Sequence, residues 1–255
     1  MEDGYRIVES FLDETELEKL DDVLFRFHNK WIQNNKESYE ENAINSAYIT
    51  SKKTIANEDR KVLFDLISSP LIKEQLSSIF PGDPCFLNTQ LFFDPVNKDQ
   101  SNYWHRDIQY TGLSIEEQKV SITENVNNVV HFRIALRDEL GIELVPKTNH
   151  RWDTDLEYEV RNGLNNRNTY DDLLESKVIK LSRGDLLIFS ANMIHRGLYG
   201  RNRFAFDILY CEPEPSILKY ADIHCYPDQK ELLYIDDKQF FTKLYEITSQ
   251  RKDSK

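Results

Sequence analysis

The spacing of apolar residues changes along the chain. Up to about residue 80 it is helical: in residues 9–30 apolar side chains recur every third or fourth position from Leu17 to Phe27. Residues 59–79 repeat this pattern, and Ser-Ser-Pro at 68–70 interrupts it. The pattern therefore predicts two helical regions in the N-terminal part of the chain.

After residue 84 apolar and polar residues alternate with a period of two, which predicts β-strands. The predicted strands are residues 86–93, 129–136, 142–146, 185–190 and 203–210. Two polar stretches, 35–53 and 152–177, are predicted to be a loop and a partly helical insertion, and both are candidate lids over a site. A last helix is predicted from about 237 to 250.

Polar residues follow one face of several predicted strands. His131 and Arg133 share a face, Asn88 and Gln90 share another, and Asp207 lies opposite the phenylalanines of its strand. Such a face is expected for an antiparallel strand with one solvated side. A barrel with a polar interior that holds a charged ligand would give the same pattern. The alternation alone leaves both interpretations open.

Composition narrows the class of protein. The 255 residues are 40% hydrophobic, which is enough to form a core and argues against a disordered chain. Neither a repeat nor a linker divides the sequence, so we expect a single domain over residues 1–255. Its parts are a helical region (about 1–80), a β core (about 85–212) and a helical tail (about 213–255).

Charge and cysteine content limit the partners and the compartment. The net charge of −12 disfavours both nucleic acid and an anionic lipid surface as partners. Three cysteines without a CxxC pair, Cys85, Cys211 and Cys225, favour inert thiols over a disulfide framework or a zinc ribbon. An acidic N-terminus and the lack of a long apolar run disfavour a secretory signal and a membrane span, so we expect a cytoplasmic protein.

Candidate metal ligands come from a His-x-Asp triplet. On an extended strand His105 and Asp107 point the same way, so that an imidazole and a carboxylate can reach one ion. A sequence with six histidines and 44 acidic residues contains about one such triplet by chance, so the context matters. A second histidine, His195, follows a turn and strand signal. Two imidazoles and one carboxylate leave three positions open on Fe(II), whereas a closed zinc site takes four protein ligands.

Four segments together resemble the phytanoyl-CoA dioxygenase (PhyH) family. They are WHRD at 104–107, ELVPKTNHR at 143–151, GDLLIFSANMIHRG at 184–197 and RFAFDILY at 203–210. The resemblance covers roughly residues 4–230. It implies a mainly β fold with flanking helices (α+β): a double-stranded β-helix, or jelly-roll (cupin-like) barrel, on which N-terminal helices pack. It also implies an oxygenase that uses Fe(II) and the co-substrates 2-oxoglutarate and O2.

The resemblance assigns roles to individual residues. His105, Asp107 and His195 would be the catalytic iron ligands. Arg203 would bind the distal carboxylate of 2-oxoglutarate, because a guanidinium can grip a carboxylate with two hydrogen bonds. Arg201 is its rival, since the gap from His195 to Arg203 is shorter than is usual in the family.

Two further candidate contacts of 2-oxoglutarate lie outside the four matching segments. Asn88 and Gln90 are candidates to hydrogen-bond 2-oxoglutarate or the substrate, or are simply polar residues of a strand. The sequence motif ValProLysThrAsnHisArg departs from the family's usual Pro-Gly-Ser-His-Arg, which concerns a turn and not the metal ligands.

The resemblance implies oxidation of a small molecule with release of succinate and CO2. Because halogenating members of the family lack this carboxylate, the resemblance together with an intact Asp107 implies hydroxylation, or a related desaturation or ring closure. The alternatives are a cupin-like protein that binds a ligand or metal without turnover, and a hydrolase or isomerase that uses the same three ligands. Arginines near the motifs would suit an anionic substrate and equally fit ordinary surface ion pairs; they are Arg133, Arg151, Arg196 and Arg201. The sequence leaves the oligomeric state open.

Overall fold

Most of the described helices contribute buried side chains to the main hydrophobic core. A computed structural model describes residues 1–124 and 129–252. Its helices are α1 (Glu14–Asn34), α2 (Lys36–Glu41), α3 (Asn57–Ile67), α4 (Pro70–Ser77), α5 (Ile115–Glu124), α6 (Asp155–Asn162), α7 (Pro215–Leu218) and α8 (Gln239–Lys252). The predicted break in the second helical region is confirmed, since Pro70 starts α4 and Ser69 caps it. A capping box between Asp13 and Glu16 fixes the start of α1.

The strands form two antiparallel sheets. They are β1 (Tyr5–Val8), β2 (Asn45–Ala47), β3 (Cys85–Phe93), β4 (Val129–Ala135), β5 (Glu139–Leu144), β6 (Lys177–Leu181), β7 (Leu186–Ser190), β8 (His195–Gly197) and β9 (Phe204–Cys211). All five predicted strands are confirmed within a few residues. Strands β1, β2, β6 and β8, which have three to five residues each, were not predicted.

Strand order is that of a jelly-roll-type double sheet. The larger sheet has the order β1-β7-β4-β9-β3-β2, and the smaller has the order β6-β5-β8. Along the central strands, alternate residues face opposite layers. Phe132 and Ile208 pack with the helices in the main hydrophobic core, whereas Leu187 and Phe189 join a second apolar cluster with strands β5 and β6 of the smaller sheet. The predicted mainly β fold with N-terminal helices on the sheet is confirmed.

The polar faces of the central strands point into the interior. His131, Arg133 and Asp207 are each less than 5% exposed. Register places Arg133 opposite Asp207 and His131 opposite Phe189. Of the two interpretations of the alternation, the structure therefore supports the polar interior and not the solvated face.

The structure also describes the three cysteines and the length and polarity of the helices. Cys85, Cys211 and Cys225 are buried, and none of them forms a disulfide. Among the described residues, no helix combines the length and the apolar character needed to cross a bilayer.

Stability should fall at acidic pH because of His28. Its ring lies on the buried side of α1 among Trp31, Tyr39, Phe93 and Phe204, and Nδ1 has no hydrogen-bond partner in the described part of the chain. Burial lowers the pKa of His28 to about 4. The folded state therefore binds this proton more weakly than the unfolded chain does. The contribution of the neutral ring to the free energy of unfolding is therefore fully present above pH 6.5, and it is lost as the pH falls towards 4.

We expect this single group to reduce the free energy of unfolding by about 2 kcal/mol at pH 5 relative to pH 7.5. Urea unfolding of the wild type and of His28→Phe at both pH values isolates the effect, because other titrating groups are common to both proteins. Equal pH dependence in the two proteins would show that His28 is not protonated on unfolding.

Candidate active site

Two histidines face each other across an isolated β-bridge between the segment at residue 105 and the start of β8. The backbone N–H of His105 donates to the carbonyl of His195 at 2.9 Å, and the reverse bond has the same length. The imidazole centroids lie 4.2 Å apart. A pairing between residues 90 positions apart in sequence thus places both rings at one point.

Hydrogen bonds select the tautomer of both rings. Nδ1 of His105 lies 3.2 Å from the carbonyl of Tyr103, and Nδ1 of His195 lies 3.0 Å from that of Met193. A carbonyl can only accept, so Nδ1 carries the hydrogen, and the lone pair on Nε2 is left for a ligand. Burial lowers the pKa of His105 and lowers that of His195 to about 3, so both rings are neutral near pH 7.

Asp107 completes the group. Its Oδ1 lies 3.6 Å from Nε2 of both histidines, and one ligand atom from each of the three residues falls within 4.8 Å of the others. Desolvation alone would raise the pKa of Asp107, but His131 and the two other imidazoles outweigh it and hold this pKa well below its usual range. The carboxylate is therefore ionised. Two neutral imidazoles and one carboxylate, converging with no fourth protein ligand among the described residues, form a donor set that suits Fe(II).

A cavity of about 400 Å³ opens onto this group between the two sheets. Tyrosines dominate its uncharged wall, and several are partly exposed at the mouth: Tyr48, Tyr103, Tyr110, Tyr199 and Tyr220. Tyr220 comes from the C-terminal tail, and its hydroxyl donates to the carbonyl of Thr111 at 2.8 Å. Sequence reasoning missed these tyrosines, because they come from four separate segments.

Arg203 lines the same cavity and is 3% exposed. Its Nε and Nη1 are buried and have no hydrogen-bond partner among the described residues. A Cβ at Gly197 would stand 2.8 Å from Nη2, so glycine makes room for the guanidinium. Burial, reinforced by the positive charge of Arg133, lowers the pKa of Arg203 to about 10, which still leaves it cationic. The guanidinium lies over the rings of Phe92 and Tyr199. A buried cation without a hydrogen-bonded counter-ion is still costly, and a ligand carboxylate would remove that cost.

The other predicted cofactor contacts separate into two groups. Gln90 lines the cavity, whereas Asn88 does not and accepts a hydrogen bond from the backbone of Thr89. Arg201 is exposed and does not contribute to the cavity wall. Between the two rival arginines, the cavity therefore holds Arg203.

The arginines that suggested an anionic substrate have other partners. Arg133 binds Glu139 and Asp207, Arg151 binds Glu157, and Arg196 binds Glu143 and Asp172. Since Arg201 is exposed, none of the four offers a free positive charge inside the cavity. The basis for expecting an anionic substrate is therefore removed by the tertiary structure.

Segment 35–53 contributes to the site, and segment 152–177 supports it from behind. Ile44, Asn45 and Tyr48 of the first segment line the cavity, as expected for a lid. The second segment provides none of the lining residues. Its Asp153 instead binds Arg106, which is fully buried and also donates to the carbonyls of Thr148 and Asn192. Arg106 therefore braces the turn that carries Asp107.

Comparison with protein families finds a match over most of the chain. The family model described as Phytanoyl-CoA dioxygenase (PhyH) matches residues 1–203. No curated protein matches the chain by sequence.

Solved structures share the fold at low identity. AviO1 from Streptomyces viridochromogenes Tue57 is 17% identical, with 83% of this chain and 91% of that chain covered and a TM-score of 0.57. HygX from Streptomyces hygroscopicus, solved with iron bound, is 14% identical, with 82% of each chain covered and a TM-score of 0.58. SnoK, a non-haem α-ketoglutarate-dependent carbocyclase from nogalamycin biosynthesis, is 16% identical, with 84% and 81% covered and a TM-score of 0.51.

Proposed function

Since this chain belongs to the phytanoyl-CoA dioxygenase family, we propose that it is a non-haem Fe(II)- and 2-oxoglutarate-dependent dioxygenase that hydroxylates a small molecule. The overall reaction consumes the substrate, O2 and 2-oxoglutarate and yields the hydroxylated product, succinate and CO2. The proposal assigns iron to Nε2 of His105, Nε2 of His195 and Oδ1 of Asp107. When bound, the iron supplies the redox chemistry by which 2-oxoglutarate and O2 oxidise a C–H bond.

The observation that carries the proposal is the buried guanidinium of Arg203. It lies on the wall of the cavity that contains the three candidate ligands, with two N–H-bearing atoms unpaired among the described residues. A dicarboxylate that reaches the metal with one end would supply the missing acceptor with its other end. A hydrolase or isomerase with the same three ligands would have no use for this arginine. The orphaned guanidinium therefore favours the oxygenase.

The chemistry of the remaining cavity wall indicates which class of substrate it can bind. With Arg203 assigned to 2-oxoglutarate and Arg133 paired with Glu139 and Asp207, the rest of the wall offers tyrosyl rings and hydroxyls and the amide of Gln90. Burying an unpaired charge against such a wall is unfavourable, whereas rings and hydroxyls find partners. We therefore assign an uncharged, ring-containing, hydroxylated substrate.

Release of CO2 from carboxyl-labelled 2-oxoglutarate tests the function. We expect release that needs both Fe(II) and air, with an equal amount of succinate. Phenyl β-glucoside is an uncharged, hydroxylated probe and phenyl phosphate an anionic one, and we expect the uncharged probe to stimulate release more. Folded, iron-loaded protein that neither binds 2-oxoglutarate nor releases CO2 from it would contradict the oxygenase. Stronger stimulation by the phosphate would contradict only the uncharged substrate.

A further inference from the structure

The two oxygens of Asp107 face different partners. Oδ1 lies 3.6 Å from Nε2 of His105 and 3.6 Å from Nε2 of His195. Oδ2 lies 2.7 Å from Nε2 of a third histidine, His131, in a hydrogen bond of normal length. The carboxylate thus turns one oxygen towards the candidate metal position and the other towards β4.

The ring of His131 is held on three sides. Its Nδ1 lies 3.2 Å from Oδ2 of Asp207 on the neighbouring strand β9. Phe189 of β7 stacks on it, with centroids 4.5 Å apart and planes 11° from parallel. The register of β4 with β7 places these two rings directly opposite each other. His131 therefore cannot turn away from Asp107 without losing contacts to both neighbouring strands.

Asp207, the partner of Nδ1 of His131, is itself held in place by an ion pair. Arg133 donates to Oδ1 of Asp207 at 3.4 Å and to Glu139 at 2.9 Å, and all three side chains are at most 1% exposed. Contacts thus run from Glu139 through Arg133, Asp207 and His131 to Asp107. A buried network in which each polar group has a partner gives its last member a single orientation.

We propose that His131 is a positioning residue that reserves Oδ2 of Asp107, so that the carboxylate gives the metal one oxygen. This inference rests on the proposed function, because it assumes iron at His105, Asp107 and His195. A carboxylate with two free oxygens can take two positions on a metal. If one carboxylate oxygen is held away from the metal, the carboxylate takes a single coordination position, and the positions that 2-oxoglutarate and O2 require stay open on the metal. Partners outside the ligand set commonly change metal affinity 10–100-fold when they are removed.

Three variants at residue 131 separate its two hydrogen bonds. His131→Gln places an amide nitrogen near the position of Nε2 and keeps the bond to Asp107. His131→Asn places it near Nδ1 and keeps the bond to Asp207 instead. His131→Phe keeps the stacking on Phe189 and loses both bonds. The glutamine and asparagine variants bury the same polar group, so a general loss of stability affects both.

Anaerobic titration with Fe(II) alone, followed by 2-oxoglutarate, gives the readout. We expect the dissociation constant for Fe(II) to rise roughly 10–100-fold in His131→Phe and His131→Asn, and to return to within about threefold of wild type in His131→Gln. The visible charge-transfer band of the complex with 2-oxoglutarate should shift in the same two variants. Equal affinity in wild type and His131→Phe would overturn the role of His131. If wild type binds no Fe(II), the proposed function fails as well.

A crystal structure of wild-type protein loaded with Mn(II) tests the same inference without a substitution. We expect one oxygen of Asp107 on the metal and the other still bonded to His131. Two oxygens of Asp107 on the metal would overturn the proposal even if the residue-131 variants do not fold.

Discussion

Replacing His195 by alanine is expected to abolish Fe(II) binding and turnover. Its Nε2 is one of the three converging donor atoms, and no further candidate ligand joins this group among the described residues. Loss of a ligand should exceed the 10–100-fold effect of losing a partner outside the ligand set, so we expect a fall of more than roughly 100-fold in metal affinity. The measurement is anaerobic titration with Fe(II) and then 2-oxoglutarate, followed by the visible charge-transfer band.

The control for this prediction is His224→Ala, which removes an exposed histidine outside the cavity. Wild type and the control should develop the band, and His195→Ala should not. Circular dichroism must show that all three proteins are folded. A band of wild-type intensity in His195→Ala would mean that the iron lies elsewhere, and the assignment of His105 and Asp107 would fall with it.

Replacing Arg203 by alanine should weaken 2-oxoglutarate binding strongly while leaving Fe(II) binding in place. Removing one member of a buried, hydrogen-bonded charge pair commonly costs 2–5 kcal/mol, which is about 30- to 5,000-fold in affinity. Lysine at this position keeps the charge but loses the two-pronged geometry, so Arg203→Lys should fall between wild type and alanine. The dissociation constant for 2-oxoglutarate, measured anaerobically on the Fe(II)-loaded proteins, gives the answer.

Arg201→Ala is the matched control, because it removes the same side chain from an exposed position two residues away. We expect its affinity for 2-oxoglutarate to equal that of wild type. If Arg201→Ala weakens binding and Arg203→Ala does not, the two arginines exchange roles. If neither variant changes the affinity for 2-oxoglutarate, Arg203 does not bind this co-substrate, and the hydrolase or isomerase alternative gains support.

The sequence predicted the framework of the site because its signals are local. The alternation in residues 129–136 and 203–210 matches β4 and β9 almost to the residue, since each strand buries both faces and must keep its period. His105, Asp107 and His195 could be nominated because each lies in a short motif with distinct flanks. The convergence of their donor atoms agrees with that nomination.

The partners of the buried charges could not be predicted. Arg133 looked like a group that would attract an anionic substrate, but Glu139 and Asp207 neutralise it. Asn88 and Gln90 share a strand face, and the register with β9 is regular from Asn88 onwards. Gln90 alone of the two lines the cavity, because it lies opposite Asp207 of the cavity wall, whereas Asn88 lies opposite Leu209.

The sequence by itself determined the mainly β fold with its helices, the family resemblance, and the residue types that can hold iron and a dicarboxylate. Tertiary structure alone decided which arginine lacks a hydrogen-bonded counter-ion in the cavity, which tyrosines line the cavity, and that His131 lies in hydrogen-bond contact with Oδ2 of Asp107. The physical reason is the range of the interactions. Periodicity and motifs arise from neighbours a few residues apart, whereas His131 meets Asp207 across 76 positions through strand register, which no local pattern encodes.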